Sequence, residues 1–373
     1  MPRLATAFVP LVTSLLLVAP VAAQTQPETV FELAPPPVAQ PGTEYMASNT
    51  ALPSTQAIPA VDNSSRYQVG RLFQQRYRAQ GQVPSGWNGN VTACNAGATT
   101  LAHRQAVIDR VNLYRVLAGL PGNVALAGGA PATNTQAAAL MFSANHALSH
   151  TPPTNWLCWT QAGYNGAASS NIALGYGNDA ASGVFAVDGY MDDAGDGNHP
   201  VGHRRWILYP PQVSMDSGSI PWASSPVRWA ANALYVFDPG TTRPPTPQGV
   251  AWPARGYMPS LLLPRNSKRW SLSLRNADFT AATVQMWKNG VALPEPVLEP
   301  LAYNGQPSGA YIGDNSLVWI ASGVDDSGVA GPDVTYHVKV SGIAGSGVPT
   351  SVEYDVIVFN ADDPIFADGF QPN

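Results

Sequence analysis

Histidine is the residue type that most directly suggests chemistry in this chain. The sequence has 6 His, and most of them lie between positions 103 and 203. The stretch NHPVGHRRWILYP places His199 and His203 four residues apart, a spacing that would let a helix present both imidazoles to zinc. Pro200 and Gly202 lie between them and disfavour a helix, and the Glu of an H-E-x-x-H motif is absent. The spacing therefore does not predict a zinc site at this pair.

Nucleophilic catalysis has little support in the sequence. No G-x-S-x-G motif occurs, and Ser149 and His150 are adjacent along the chain, which does not by itself create a nucleophile–base pair. The two cysteines, Cys94 and Cys158, most simply form one disulfide if the protein is exported, which would leave no free thiol.

Three other positions are better candidates, because each lies where a predicted element begins or ends. His150 follows the second of three predicted helices, Asp193 ends the third, and His203 precedes the β-prone run RRWILYP. Each has a structural alternative: His150 could bond a backbone carbonyl, Asp193 could cap or solubilise the helix, and His203 could be a purely structural residue.

Apolar spacing predicts the elements that hold these residues. One helix is expected in TTLAHRQAVIDRVNLYRVLAGLP, capped by Thr99 or Thr100, and two more at about 133–148 and 179–193. A further short helix is expected within about 66–84. The β-prone runs RRWILYP and VRWAANALYVFD follow the helices, which favours an α+β arrangement.

The C-terminal part has a different pattern. Short alternating runs, RWSLSLRN, ATVQMWKNG, SLVWIAS, VTYHVKVSG and SVEYDVIVF, are separated by turn residues, which is typical of an antiparallel, Ig-like sandwich. The predicted organisation is a signal peptide at 1–23, a disordered Pro-rich linker at 24–65, an α+β domain at 66–238, a linker at 239–253, an all-β sandwich at 254–360 and an acidic tail at 361–373.

Composition limits the function classes. Charged residues make up 12% of the chain, the net charge is −5 and no basic cluster occurs, so nucleic-acid binding has no electrostatic support. The N-terminal MPRLATAFVPLVTSLLLVAPVAAQ fits a cleavable secretory signal, and no later stretch is long and apolar enough to span a membrane. A secreted protein is therefore expected.

Five motifs in order resemble the CAP superfamily, also called the SCP-like or PR-1 type. NLYRVLAGLP, with Asn112 and Arg115, is similar to its Asn-x-x-Arg helix, and His150 falls where that family has a histidine. SSNIALG is similar to its Gly-Glu-Asn-Ile segment, AVDGYMDD to its Ala-Val-x-x-Trp-x-x-Glu helix, and GHRRWILY to its Gly-His-Tyr-Thr-Gln signature. The resemblance covers about 100–238.

The resemblance implies an α-β-α sandwich with a cleft that holds two histidines and two acids. The matching cleft residues are His150, Ser170, Asn171, Asp193 and His203, with His150 and His203 as ligands of an optional zinc or similar divalent ion. Ser170 stands where the family has an acid, so a charge that would help to hold the ion is missing. This loss also removes a candidate general base.

We therefore expect a secreted bacterial CAP-type protein that binds a lipid, glycan or peptide in this cleft, and the missing acid favours a binding cleft over a catalytic one. Two alternatives stay open. One is an extracellular metal-dependent hydrolase, with Asp193 as the base, and the other is an adhesion protein that acts through the C-terminal sandwich.

Overall fold

A computed structural model describes residues 31–33, 57–81, 83–300, 314–325 and 331–362. The predicted signal peptide at 1–23, most of the predicted linker at 24–65 and most of the predicted tail at 361–373 lie outside the described residues. Within the described residues the protein is a mixed α+β structure. None of its described helices combines the length and apolar character needed to cross a bilayer.

The helices lie in the first two thirds of the chain. They are α1 (Arg66–Leu72, continued by a π-helical segment at Phe73–Arg78), α2 (Leu101–Leu117), α3 (Gly129–Asn145), α4 (Gln161–Ala168), α5 (Gly183–Asp192) and α6 (Gly202–Ile207). The Thr100 side chain accepts a hydrogen bond from the His103 amide and caps α2, one of the two caps predicted.

The predicted strand at RRWILYP is wrong, because this stretch contains α6. The Asp193 carboxylate accepts a hydrogen bond from the Arg204 amide at 3.2 Å, which satisfies one of the otherwise unpaired N–H groups of the first turn. A contact distant from the run itself therefore overrides its β propensity.

The first sheet has the strand order β1-β3-β7-β4-β2. Its strands, together with the two-stranded ribbon β5–β6, are β1 (Phe31–Leu33), β2 (Ala125–Leu126), β3 (Ser170–Gly175), β4 (Ser214–Ile220), β5 (Ala223–Ser224), β6 (Val227–Arg228) and β7 (Ala230–Tyr235). The pair β2–β4 is parallel and the other pairs of this sheet are antiparallel.

Both faces of this sheet carry apolar side chains that pack against helices. Leu234 of β7 packs with residues of α2, α5 and α6, whereas Ala233, its neighbour on the strand, packs with residues of α3 and α4. Because side chains alternate along a strand, the sheet separates two layers of helices.

The C-terminal strands form two further sheets, ordered β13-β14-β10-β8 and β12-β11-β15-β16-β9. They are β8 (Val250–Trp252), β9 (Gly256–Pro259), β10 (Arg269–Leu274), β11 (Thr283–Lys288), β12 (Val291–Ala292), β13 (Val297–Leu298), β14 (Asn315–Ile320), β15 (Val334–Ser341) and β16 (Ser351–Phe359). Each of the five predicted alternating runs contains one of these strands. The Asn-Gly at the end of the run ATVQMWKNG joins β11 to β12, with Asn289 and Gly290 both at positive φ as a type I′ hairpin requires.

The two C-terminal sheets face each other across a packed core. Trp270 of β10 makes an edge contact with Tyr336 of β15 at 5.9 Å between ring centroids. The indole N–H of Trp319 in β14 lies 3.4 Å from the Met286 sulfur in β11. Large aromatic side chains therefore fill the space between the sheets.

Two stretches predicted as linkers contribute strands. Residues 31–33 pair with β3, and residues 250–252 pair with β10. Trp252 is 1% exposed and contacts Tyr114 of α2 edge-on at 5.3 Å. One continuous apolar core therefore extends from the helices into the C-terminal sheets.

The disulfide between Cys94 and Cys158 is confirmed, with an S–S distance of 2.06 Å. It joins the loop before α2 to the loop before α4, across 64 residues of sequence. Such a link disfavours the unfolded chain by closing a long loop.

Arg204 joins the two halves of the molecule. Its guanidinium is buried and donates to the carbonyl oxygens of Met191 and Asp192 at the end of α5. It also donates to the Arg269 carbonyl at 2.9 Å and the Ser271 hydroxyl at 3.1 Å, both in β10. Burial lowers the pKa of Arg204 to about 10, so the side chain stays charged at neutral pH.

We predict that Arg204→Met lowers the free energy of unfolding by about 3–5 kcal/mol, because the buried acceptors lose their donor. Urea denaturation followed by tryptophan fluorescence measures the change. Arg71 is exposed in α1, and Arg71→Met should change stability by less than about 0.5 kcal/mol. Equal effects of the two substitutions would contradict this role for Arg204.

Candidate functional site

Asp193 and His203 form a buried pair. The Asp193 Oδ1 lies 2.7 Å from the His203 Nδ1, and both side chains are fully buried. Asp193 ends α5 in the left-handed conformation, with φ of 57°. Its second carboxylate oxygen accepts the Arg204 amide, so one carboxylate fixes the ring of His203 and the start of α6 together.

Tyr190 and Asn171 complete this polar cluster. The Tyr190 ring stacks on the His203 ring, with centroids 5.3 Å apart and planes 18° from parallel. The Tyr190 hydroxyl lies 3.0 Å from the Asn171 carbonyl oxygen, and the Asn171 side-chain amide donates to the His203 carbonyl at 3.1 Å. Burial raises the pKa of Tyr190, which keeps the phenol protonated as a donor.

Three predicted cleft residues carry a buried polar atom without a hydrogen-bond partner among the described residues. These atoms are the His203 Nε2, the Asn171 Oδ1 and the Ser170 Oγ. A serine hydrolase would need a nucleophile bonded to the imidazole, and Ser170 does not supply that bond.

His150 is bonded to the end of α4. Its Nδ1 lies 2.7 Å from the Ala167 carbonyl oxygen at the end of α4, which matches the structural alternative proposed for this residue. The described contacts therefore join Asn171, Asp193 and His203 into one cluster and attach His150 to α4.

The fit of a divalent metal to these residues is partial. Each imidazole has its Nδ1 against an oxygen acceptor, which is the arrangement that orients the other nitrogen of a metal-binding histidine. Among the described residues, no group of three or more His, Cys, Asp or Glu side chains is arranged to hold a metal ion. The two imidazoles therefore have no third ligand of these types. Zinc at His150 and His203 stays a prediction.

An open cavity lies beside the buried cluster. Its volume is about 690 Å³, within the range of pockets that hold small molecules. Its lining consists of Tyr77, Tyr114, Ala180, Phe185, Asp188, Gly189, Met191, Asp192, Ala194, Leu261, Leu262, Leu263, Arg265 and Asn266. We call it the junction cavity, because α5 faces the segment that follows β9 across it. The predicted cleft residue Asp193 is buried next to it, and its neighbour Asp192 forms part of the wall.

Asp188 lies in the wall of the junction cavity with its charge already compensated. Both of its oxygens lie 2.7 Å from the Arg110 Nη1, and the Tyr77 and Tyr114 hydroxyls donate to it at 3.2 Å and 2.8 Å. Burial, with the Asp188 charge as a further cause, raises the pKa of both phenols, so both remain donors at neutral pH.

Asp192 is also satisfied internally, whereas Arg265 is not. The Asp192 carboxylate accepts hydrogen bonds from the backbone and side chain of Asn266 and from the Ser267 amide. Arg265 donates to the Ser260 carbonyl at 3.3 Å, and its Nε is buried without a partner among the described residues. The unpaired charge of the junction cavity is therefore positive.

The Asn-x-x-Arg residues of α2 have structural contacts. Asn112 exchanges two hydrogen bonds with the backbone of Val124. The buried Arg115 donates to the carbonyl oxygens of Pro121, Ile207, Tyr209 and Pro210. Burial lowers the pKa of Arg115 to about 10. These two residues fasten the loops around α2 and do not reach the junction cavity.

Sequence reasoning missed the junction cavity. Phe185 is 44% exposed and lies in the lining of this cavity. The segment PSLLLPRN supplies Leu261, Leu263 and Arg265, and its three consecutive leucines between prolines were the available signal.

Comparison with known proteins gives no relative: no family model, curated protein or solved structure matches this chain.

We predict that Asp193→Ala lowers the free energy of unfolding by about 3 kcal/mol, because the His203 Nδ1 and the Arg204 amide lose their acceptor. Asp193→Asn should cost less, about 1 kcal/mol, because its one amide oxygen still accepts from one of the two donors and Asn tolerates the left-handed conformation. Urea denaturation of the two variants checks this order. An equal loss would mean that the single acceptor oxygen kept by Asn does not stabilise the pair.

Proposed function

We propose that this chain is a secreted ligand-binding protein of the CAP type with a C-terminal Ig-like sandwich. The ligand in this proposal is a small amphipathic molecule with a lipid-like body, bound in the junction cavity. The ordered motifs and the helices on both faces of the first sheet support the CAP-type assignment.

The observation that carries the proposal is that the junction cavity combines an apolar wall with a positive charge. Phe185, Met191 and the segment Leu261–Leu263 provide an apolar wall. Arg265 provides a cation that forms no ion pair with the described residues. An apolar body would bury surface against that wall, and an anionic head group would pair with the guanidinium. The acids of the lining already have internal donors, so they do not attract a cationic ligand.

Binding without catalysis is the better supported reading of the histidine cluster. His203 and Asp193 are fully buried, and the His203 Nε2 has no nucleophile or acid against it among the described residues. A general base must lie within hydrogen-bond reach of the proton that it takes. The hydrolase alternative is supported by the two imidazoles whose Nδ1 lies against an oxygen acceptor. The zinc titration below tests it.

We predict that cis-parinaric acid, a long-chain carboxylate whose fluorescence rises on burial, binds the full chain saturably. Phe185→Ala should weaken binding about tenfold through lost apolar contact. Arg265→Ala should weaken binding of the acid but not of its methyl ester, because the ester lacks the charge. Leu101 is exposed and lies outside the lining, so Leu101→Ala is the matched control. Binding that is absent, or equal in all variants, would overturn the proposal.

We predict weak zinc binding by the metal-stripped protein, lost in His150→Ala and in His203→Ala and kept in His199→Ala, because the donor set has two imidazoles and no third charged ligand. Isothermal titration calorimetry measures it. Micromolar or tighter binding would favour the hydrolase, and loss of binding in His199→Ala would contradict the assignment of ligands.

A further inference from the structure

A second cavity lies apart from the junction cavity and from the histidine cluster. Its volume is about 260 Å³. It forms where the turn after α6, the loop that follows β7, the end of β10 and the start of β14 meet, and Tyr209, Arg243, Arg275 and Asp314 are in its lining. We call it the Arg275 cavity. It is smaller than a pocket for a drug-sized molecule and has room for a compact polar group.

The charges of the Arg275 cavity do not cancel. The buried Asp314 carboxylate pairs with the Arg243 guanidinium. The Asp314 carbonyl accepts a hydrogen bond from the Arg205 Nη2 at 2.7 Å, which holds this segment in place. Arg275 is exposed and has no hydrogen bond or ion pair with the described residues. One positive charge therefore remains to pair with a ligand.

Tyr209 lies in the same lining as Arg243, Arg275 and Asp314. Burial and the Asp314 charge raise the pKa of its phenol, and the charges of Arg243 and Arg275 act in the opposite direction. The lining of the cavity brings Tyr209, Arg243 and Arg275 together, although Arg243 and Arg275 come from different parts of the chain.

The remaining lining suits a ligand with several hydroxyl groups. Thr241, Asn276 and Asn315 supply hydroxyl and amide groups. The Asn315 amide donates to the Ala277 carbonyl at 2.6 Å, which fixes the side chain and leaves its oxygen as an acceptor. The half-buried ring of Tyr209 adds an aromatic surface of the kind that packs against the C–H face of a sugar.

We propose that the Arg275 cavity binds one carboxylate-bearing sugar unit of the uronic acid class. Arg275 pairs with the sugar carboxylate, the amides and hydroxyls of the lining bond the ring hydroxyls, and Tyr209 packs against the ring. The Asp314 carboxylate in the lining disfavours a compact dianion such as phosphate, whereas a single delocalised charge surrounded by hydroxyls matches the cavity.

The test is titration of the full chain with galacturonic acid, galactose and inorganic phosphate by isothermal titration calorimetry. We expect saturable binding of galacturonic acid and at least about tenfold weaker binding of galactose, because the sugar without the carboxylate loses a charge-assisted hydrogen bond. Arg275→Ala should reduce galacturonic acid to the level of galactose and leave galactose unchanged. Arg275→Lys should retain part of the preference, since the charge remains.

Arg71→Ala, which removes another exposed arginine, is the control and should bind like the unmodified chain. The proposal is overturned if galacturonic acid does not bind, if Arg275→Ala binds it normally, or if phosphate binds equally well and displaces it, which would indicate a general anion site. Parinaric acid binding should be unchanged in Arg275→Ala, so failure at this cavity is distinguishable from failure at the junction cavity.

Discussion

The buried guanidinium of Arg204 is the interaction on which the arrangement of both halves depends. It donates to carbonyls at the end of α5, which have no partner within the helix, and to acceptors in β10. A buried charge is costly unless its hydrogen bonds are made, so this side chain stabilises one relative placement of helix and strand. Arg269 reinforces it from the other side, because it donates to the carbonyls of Asp193 and Gly195 and pairs with Glu299.

This constraint also explains the state of the acids around α5. Asp188, Asp192 and Asp193 are close in sequence, and an acidic cluster of this kind suggests a cation site. Each carboxylate instead has a separate set of donors: Arg110 and two phenols, the turn at Asn266, and His203 with the Arg204 amide. These carboxylates hold helices and turns in position. Arg265 and Arg275 are therefore the charges available to a ligand at the two cavities.

The sequence predicted those parts of the fold that depend on local patterns. The helix α2, with its cap at Thr100, and the strands β10, β11, β14, β15 and β16 follow from apolar periodicity and turn residues. It did not predict α6, where the Asp193 carboxylate accepts a hydrogen bond from an amide of the first turn. It also did not predict the strand Val250–Trp252, which lies in a Pro-rich stretch. Of the predicted cleft residues, Asn171, Asp193 and His203 share contacts in one buried cluster. The sequence did not predict the junction cavity, because Phe185 and Leu261 are brought together only by the packing of the two halves.

A sequence motif need not contain the chemistry of the protein that carries it. Asn112 and Arg115 belong to the Asn-x-x-Arg motif, yet their hydrogen bonds go to backbone groups of loops around α2. The Asp193 carboxylate likewise bonds the His203 Nδ1 and the Arg204 amide of α6. Residues with such contacts are constrained by the fold whatever the protein binds, so their presence carries little information about the ligand. Arg265 lies beside an apolar wall and Arg275 lies among amides and hydroxyls, and neither forms an ion pair with the described residues. The fold does not constrain these two side chains in the same way, so they say more about the chemistry of the ligand.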